Sequence, residues 1–212
     1  YIGIASSYFN NSSNLISVVG EDFLKKDITL LMNHKINCEG LKVFKNEKTF
    51  FWSGRYHKNM NNRDTLETQL NVLKKFNPKV PTNYQDCKYL MLANLMPSIQ
   101  LKTIQQLNVR PKLVVTDTMN YWIENSLMDL HNVIGKTDVL IINEEEALQL
   151  TKKQNIINAA TTIQKFGPKF IIIKRGEEGA ILFYQNMQFE CPAYAVKKCV
   201  DPTGAGDTFA GA

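Results

Sequence analysis

The stretch Asp201-Pro202-Thr203-Gly204-Ala205-Gly206-Asp207-Thr208-Phe209-Ala210-Gly211-Ala212 gathers the residue types that anion chemistry needs. A Gly-Ala-Gly turn leads into a small-residue, apolar helix start, with a carboxylate at the junction. Successive small residues let backbone N–H groups converge on an anion, and the helix N-terminus adds partial positive charge. A carboxylate beside such a site is unfavourable unless it takes part in the reaction. Asp207 is suited to accept a proton from a hydroxyl nucleophile, while the N–H groups of Gly204, Ala205 and Gly206 stabilise charge on a moving phosphoryl group. The string is not a Walker-type phosphate loop, because no Gly-Lys-Ser/Thr follows the required gap. Nor is it a dinucleotide fingerprint, because Phe209 stands where the third glycine belongs. From the residues alone, a plain glycine turn capped by aspartate stays open.

The elements that would position this chemistry are clearest in the second half of the chain. Leu113–Asp117, Val139–Asn143 and Phe170–Lys174 are short, β-branched, non-alternating runs, each ending in a polar residue. Such runs read as strands covered on both faces, as in a parallel sheet. Helical stretches are predicted between them, over Tyr121 to about His131, Glu144 to Lys152 and Ile156 to Phe166, the last stopped by Gly167-Pro168. The alternation predicts a doubly wound α/β sheet. Asp117, Asn143 and Lys174 then share the carboxyl edge of that sheet, where ligands bind in open α/β folds. Beyond Lys174, Ala180–Tyr184 and Gln188–Tyr194 predict a hairpin around Asn186-Met187.

In the front half, Leu15–Val19 reads as a strand followed by a helix carrying Leu24, Leu30 and Leu31. Residues 41–56 alternate and are rich in aromatics, which predicts a small antiparallel patch, and Asn59–Asp64 reads as a turn. Asn10 to Asn14 is locally biased in composition.

A chain of 212 residues suits one domain, or one domain with a small appendage. With 44% hydrophobic and 21% charged residues, disorder and collagen-like repeats are excluded. The net charge of +5 is dispersed and forms no block of the kind that binds nucleic acid, so no nucleic-acid partner is expected. Cys38, Cys87, Cys191 and Cys199 show no metal or redox spacing and read as reduced thiols of a cytoplasmic protein. No apolar run reaches the ~18 residues of a membrane span, so no membrane partner is expected. Nothing at the front resembles an export signal. His34, His57 and His131 are isolated and receive no role. The chain begins at Tyr1 and stops inside a helix start, which suggests a piece of a longer protein.

Several strings agree, in order, with one family. The segment from Asp201 to Ala212 resembles the second signature of the ribokinase-like (PfkB) small-molecule kinases. Asn143-Glu144-Glu145-Glu146 resembles its N-x-x-E motif, Lys174-Arg175-Gly176-Glu177-Glu178-Gly179 its strand-end K-x-G-x-x-G turn, and Val18-Val19-Gly20-Glu21-Asp22 its V-G-x-D element. The resemblance covers about Val18 to Ala212 and is strongest after residue 139.

It implies a ribokinase-like fold, a doubly wound, mostly parallel sheet flanked by helices with a small β-sheet lid. The α/β core would comprise residues 1–40 and 80–212, incomplete at both ends, with the lid over about 41–60. It also implies ATP and Mg²⁺ as cofactors, with Asn143 and Glu146 organising Mg²⁺ and its waters. Such a role suits an ion that keeps several waters, although an acidic first turn favoured by the helix dipole reads the same way. Lys174, Gly176, Gly179 and Asn143 would line the nucleotide. Asp201 and Thr203 match positions that hold a monovalent cation such as K⁺ in relatives, with Pro202 replacing the usual Thr or Ser. Phe51, Arg55 and Tyr56 on the lid, and Asn120 after the strand ending at Asp117, are candidates for acceptor contacts. Phe50, Phe51 and Trp52 suit packing of the lid equally well.

The implied activity is transfer of the γ-phosphoryl group of ATP to a sugar hydroxyl. A nucleoside acceptor stays open because the lid aromatics could stack on a base, and a non-catalytic sensor of a nucleotide or sugar is the further alternative. A homodimer through the lid is implied by resemblance. Relatives begin with a strand carrying an acceptor-binding Asp and a Gly-Gly turn, neither of which precedes Gly20 here; the piece Gly3 to Ser13 is too short for their usual helix before Leu15, and relatives continue beyond the signature helix.

Overall fold

The chain divides into two units in the computed structural model, which describes residues 1–9, 12–58, 60 and 63–212. Tyr1–Gln85 with Lys198–Ala212 form one unit, and Asp86–Lys197 the other.

The first unit starts with a five-residue helix, α1 (Ile2–Ser6), closed by bonds such as Ala5 N–H to the Tyr1 carbonyl at 2.9 Å. Among the described residues, this short turn of helix is all that precedes β1. Strand β1 (Ser13–Gly20), helix α2 (Lys25–Asn33) and strand β2 (Ile36–Phe44) follow, and β1 pairs with β2 in parallel. Their register shifts between Asn14 and Ile16. There Gly40 admits the Leu15 carbonyl to 2.6 Å from the place a Cβ would occupy. Val18, Val19 and Ile36 are buried.

Strand β3 (Phe51–Tyr56) pairs antiparallel with β4 (Arg63–Gln69), with a bulge between Ser53 and Gly54. The antiparallel patch thus lies later in the chain than the aromatic run predicts, and residues up to Phe44 belong to the parallel pair instead. The reason is a reversal at Asn46, whose φ is 57°. The Asn46 N–H donates to Glu21 Oε2 (3.0 Å), and Gly20 leaves space for the backbone of Glu47 and Lys48. Of the turn predicted over Asn59–Asp64, Asn59, Asn61 and Asn62 lie outside the described residues, as do Asn10 and Asn11 of the biased run.

The second unit is built on a six-stranded sheet. In chain order its elements are β5 (Tyr89–Leu92), α3 (Pro97–Ile104), β6 (Leu113–Asp117), α4 (Asn120–Asn125), α5 (Leu127–Ile134), β7 (Val139–Asn143), α6 (Glu144–Thr151), α7 (Ile156–Gln164), β8 (Phe170–Lys174), β9 (Ala180–Tyr184) and β10 (Met187–Cys191). The strand order is β10-β9-β8-β7-β6-β5. Strands β5 to β8 run parallel, β9 runs antiparallel to β8, and β10 antiparallel to β9.

The three β-branched runs have the bounds the sequence predicts. Leu140, Ile142, Ile171 and Ile173 alternate into one core with Ile123, Leu130 and Ile134 of α4 and α5 and with Ala147, Leu150, Ala159 and Ile163 of α6 and α7. Ile141 is also buried, so β7 is covered on both faces. Strand β8 alternates between buried and half-buried residues.

The helix predicted over 121–131 is broken in two at Ser126, which adopts φ −146° and ψ 35°. Asn125 and Ser126 both favour local side-chain hydrogen bonds over helix continuation, and the Asn125 side chain donates back to the Tyr121 carbonyl at 2.8 Å. The hairpin turns at Gln185-Asn186, one residue earlier than predicted, with Gln185 at φ 52°. After Cys191 the chain returns to the first unit and closes in α8 (Ala205–Gly211).

Candidate active site

In the second unit, β7 runs straight into α6, and the junction satisfies itself. The Asn143 side-chain oxygen accepts from the Glu146 N–H at 2.8 Å, and Glu146 Oε2 accepts from the Asn143 N–H at 3.0 Å. This reciprocal capping box satisfies two of the N–H groups that a helix start leaves without partners. Glu146 is buried, whereas Glu144 and Asn143 are partly open. As hard oxygen donors, Asn143 and Glu146 fit Mg²⁺ through its waters. Among the described residues, no group of three or more His, Cys, Asp or Glu could cage a metal directly.

At the end of the adjacent strand, Lys174 pairs with Asp117 (Nζ to Oδ1, 3.2 Å). Arg175 is engaged beside it, its Nε donating to Glu144 Oε2 at 3.0 Å and a terminal nitrogen to Glu178. The Glu144 carboxylate holds the Arg175 guanidinium above its ordinary pKa, so its charge is secure. A short 3₁₀ turn follows, Gly176–Glu178, with Gly176 at φ 57° and Gly179 at φ 96°. Gly179 has a packing reason to be glycine, since a Cβ there would stand 2.0 Å from the Cys191 carbonyl oxygen. Asn120 is half-buried and opens α4, three residues beyond Asp117.

In the first unit the signature turn has the form its residues suggest. Gly204 takes the left-handed conformation (φ 77°) and caps α8. A Cβ at Gly204 would collide with the Tyr1 ring at 2.5 Å, and one at Gly211 with the Ile2 backbone, so both glycines let α8 meet the start of the chain. Asp207 lies in the first turn of α8 and is half-buried. The Ala205 N–H is committed to the Pro202 carbonyl at 3.0 Å. Of the expected anion-binding donors, therefore, Ala205 must exchange that bond. Asp201 Oδ1 accepts from the Thr203 N–H at 2.9 Å, and the Thr203 side chain first, with its backbone N–H second, holds the Asp201 carboxyl below its ordinary pKa. The Thr203 hydroxyl reaches the Tyr56 hydroxyl at 3.5 Å, so β3 touches the signature turn. Phe51 and Arg55 are exposed, and the Trp52 ring folds over Gly54 while its Nε1 donates to Thr65 at 3.3 Å.

The predicted residues thus fall into two sets. Asn143, Glu146, Lys174, Gly176, Gly179 and Asn120 belong to the second unit, and Asp201, Thr203, Gly204, Ala205, Gly206, Asp207, Phe51, Arg55 and Tyr56 to the first. Two features escape sequence reasoning. One is the partner of Lys174. The other is the clamp formed by Asp22, whose Oδ1 accepts from both the Thr49 N–H (2.8 Å) and the Thr49 hydroxyl (2.6 Å) and whose pKa is lowered as a result. The V-G-x-D string was the only signal of the second.

Known proteins resemble this chain along nearly all its length. The family model described as pfkB family carbohydrate kinase matches residues 3–212. The cytidine kinase of Thermococcus kodakarensis is 29% identical over 203 residues, 93% of this chain and 70% of that protein. A putative Ribokinase II from E. coli in its apo form, 25% identical, gives a TM-score of 0.83 over 99% of this chain and 72% of the other. In complex with ATP and Mg²⁺ the same comparison gives 0.79, over 99% and 71%. The nucleoside kinase of Methanocaldococcus jannaschii, 23% identical with a TM-score of 0.75 over 97% of this chain and 67% of the other, shares the fold. With a ribokinase fold and a family match from residue 3 to residue 212, this chain belongs to the pfkB family of carbohydrate kinases, which are phosphotransferases.

Proposed function

We propose that this chain carries out ATP-dependent phosphorylation of a sugar hydroxyl, with Asp207 as the general base. The observation that carries the reading is the placement of Asp207 in the first turn of α8, directly behind a left-handed Gly204. When bound, Mg-ATP supplies the transferable γ-phosphoryl group. Asp207 takes the proton of the acceptor hydroxyl at a carboxylate oxygen. The N–H groups of Gly204 and Gly206 donate to the oxygens on which charge grows, joined by Ala205 once its N–H leaves Pro202. Asn143 and Glu146 would hold Mg²⁺ through its waters. Lys174 donates to phosphate oxygens, and Gly176 and Gly179 shape the turn beside them. Asp201 and Thr203 would present oxygens to a monovalent cation, supported by an Asp201 carboxyl kept ionised by Thr203.

The ribbon of β3 and β4 serves as the lid; β3 falls in the region expected over about 41–60, and β4 (Arg63–Gln69) lies beyond it. Its exposed Phe51 and Leu66 support pairing with a second copy, and the four free thiols suit a cytoplasmic protein. A nucleoside acceptor is the second reading, favoured by 29% identity to a cytidine kinase over 93% of this chain. The reacting group would again be a sugar hydroxyl, so the phosphoryl-transfer residues keep their roles.

The test is acceptor-dependent ADP formation by the full-length protein with ATP, Mg²⁺ and a panel of sugars and nucleosides. Asp207→Asn is expected to lower kcat by about 10²–10⁴-fold with nucleotide affinity unchanged. Undiminished kcat in that variant would remove Asp207 as the base, and ATP binding without turnover of any acceptor would favour a sensor.

A further inference from the structure

Strand β7 lies between β6 and β8, so Asp117 and Lys174 are not on neighbouring strands. Asn143, the last residue of β7, is in register with Lys174. The Lys174 ammonium must therefore cross the end of β7 to reach Asp117 Oδ1 at 3.2 Å. The pair is well screened from solvent, with side-chain exposures of 17% for Lys174 and 4% for Asp117. Asp117 itself is anchored, its backbone carbonyl accepting from Gln100 Nε2 at 3.4 Å. Desolvating such a pair offsets most of its Coulomb attraction, so fold stability alone is a weak reason for it. Placement of a flexible ammonium is a stronger one, because an unpaired lysine has four rotatable bonds and swings toward water. An ammonium has three donors, so the bond to Asp117 leaves others available over the end of β7. Next to Asp117, the Thr118 hydroxyl is buried without a hydrogen-bond partner.

We infer that Asp117 is a positioning residue: it holds the Lys174 ammonium over the end of β7, where it receives the β- and γ-phosphates of the nucleotide. The inference rests on the kinase reading above. It extends that reading by assigning the phosphate affinity to a pair of residues, one of which never touches the ligand.

The discriminating variant is Asp117→Glu, which keeps the charge and adds one methylene, so that it moves the ammonium without altering the electrostatic balance. Binding of ATP and of AMP to the full-length protein is measured by calorimetry, with thermal melting of each variant as a control. Asp117→Glu is expected to weaken ATP several-fold and leave AMP within twofold. Asp117→Asn is expected to weaken ATP by about tenfold, the scale of one charge-assisted hydrogen bond. Combining Asp117→Asn with Lys174→Met should be no worse for ATP than Lys174→Met alone. Equal losses for ATP and AMP, tighter ATP binding in Asp117→Asn, or an unchanged ATP-to-AMP ratio in Asp117→Glu would each overturn the inference. Since Asp117→Glu preserves the ion pair, it keeps the test in hand if Asp117→Asn does not fold. A wild-type protein that binds ATP without turnover would defeat the kinase reading alone, whereas an intact ratio in Asp117→Glu would defeat this inference alone.

Discussion

Gly179→Ala should be among the most damaging single-methyl additions in the second unit. Gly179 sits at φ 96° and ψ −133°, a region that residues with a Cβ avoid. Holding alanine there costs about 1–3 kcal/mol. The added methyl would stand 2.0 Å from the Cys191 carbonyl oxygen, 2.7 Å from the Ala193 nitrogen and 2.8 Å from the Pro192 carbonyl carbon. All three are backbone atoms, and Cys191 is the last residue of β10, paired with Ala180. Relief therefore means moving the end of the hairpin, for which overpacking costs of about 1–3 kcal/mol are typical. The two contributions give a loss of about 2–6 kcal/mol, a large share of the ~5–15 kcal/mol that holds a domain together. Urea unfolding should show a lower midpoint with an unchanged m-value. Gly176→Ala supplies the internal control, because its φ of 57° is the ordinary left-handed region and costs only about 1–2 kcal/mol. A loss below about 0.5 kcal/mol in Gly179→Ala, within the range of neutral surface changes, would show that residues 191–193 yield freely and that packing does not require this glycine.

Asp138 should give the second unit a sensitivity to acid. Burial pushes its carboxyl up, but the Arg110 guanidinium and the Val114 N–H outweigh that, and the net pKa falls below its ordinary 3.8. A group with a depressed folded pKa stabilises the fold fully above the unfolded value, and this stabilisation is lost as pH falls through the folded one. Asp138→Ala should therefore destabilise at neutral pH by about 1.5–3 kcal/mol, the worth of a hydrogen bond to a charged group, with a smaller deficit in strong acid. A deficit that does not shrink as the pH is lowered would contradict this. Asp22→Ala should release the entry to β3, because it removes the acceptor of both Thr49 hydrogen bonds. Amide exchange at Thr49 is expected to rise, with β7 and β8 unaffected. If protection at Thr49 survives the change, the clamp is not what holds the ribbon.

How much of the fold could be read depended on whether a segment's burial was local in sequence. Strands β6, β7 and β8 were legible to the residue, since each is a compact β-branched run followed by a polar end. Gly167 was legible as a stop, and the structure shows why glycine is needed there: its φ is 139°, and a Cβ would stand 3.0 Å from the Cα of Gly135. Helices α4 and α5 read as one because Trp122, Ile123, Leu130 and Val133 are apolar on both sides of the break, and only the Asn125-Ser126 step betrays it. The placement of β3 against β4 was not legible, because the aromatic run gives no sign of the backbone contacts at Gly20 and Asn46 that separate it from β2.

The candidate site divides the same way, and the division explains how it is held. Its motifs are short strings whose members lie within one turn of each other, so the Gly204–Asp207 turn, the Asn143–Glu146 box and the Lys174–Gly179 turn could all be found from spacing. What escaped was the pair formed by Asp117 and Lys174, 57 residues apart in sequence and brought together only because the Lys174 side chain reaches across the end of β7, which lies between their strands. Each legible motif already has a structural duty. Asn143 and Glu146 cap α6, Gly204 makes room for Tyr1, Gly179 admits the end of β10, and Asp201 fixes the Thr203 turn. These duties set the positions of side chains and N–H groups before any ligand arrives. Groups fixed in advance need little rearrangement as charge develops, and that is the condition under which electrostatic stabilisation of a phosphoryl group is most effective. The structural and chemical readings of these residues are therefore not rivals, since the first supplies the rigidity that the second requires.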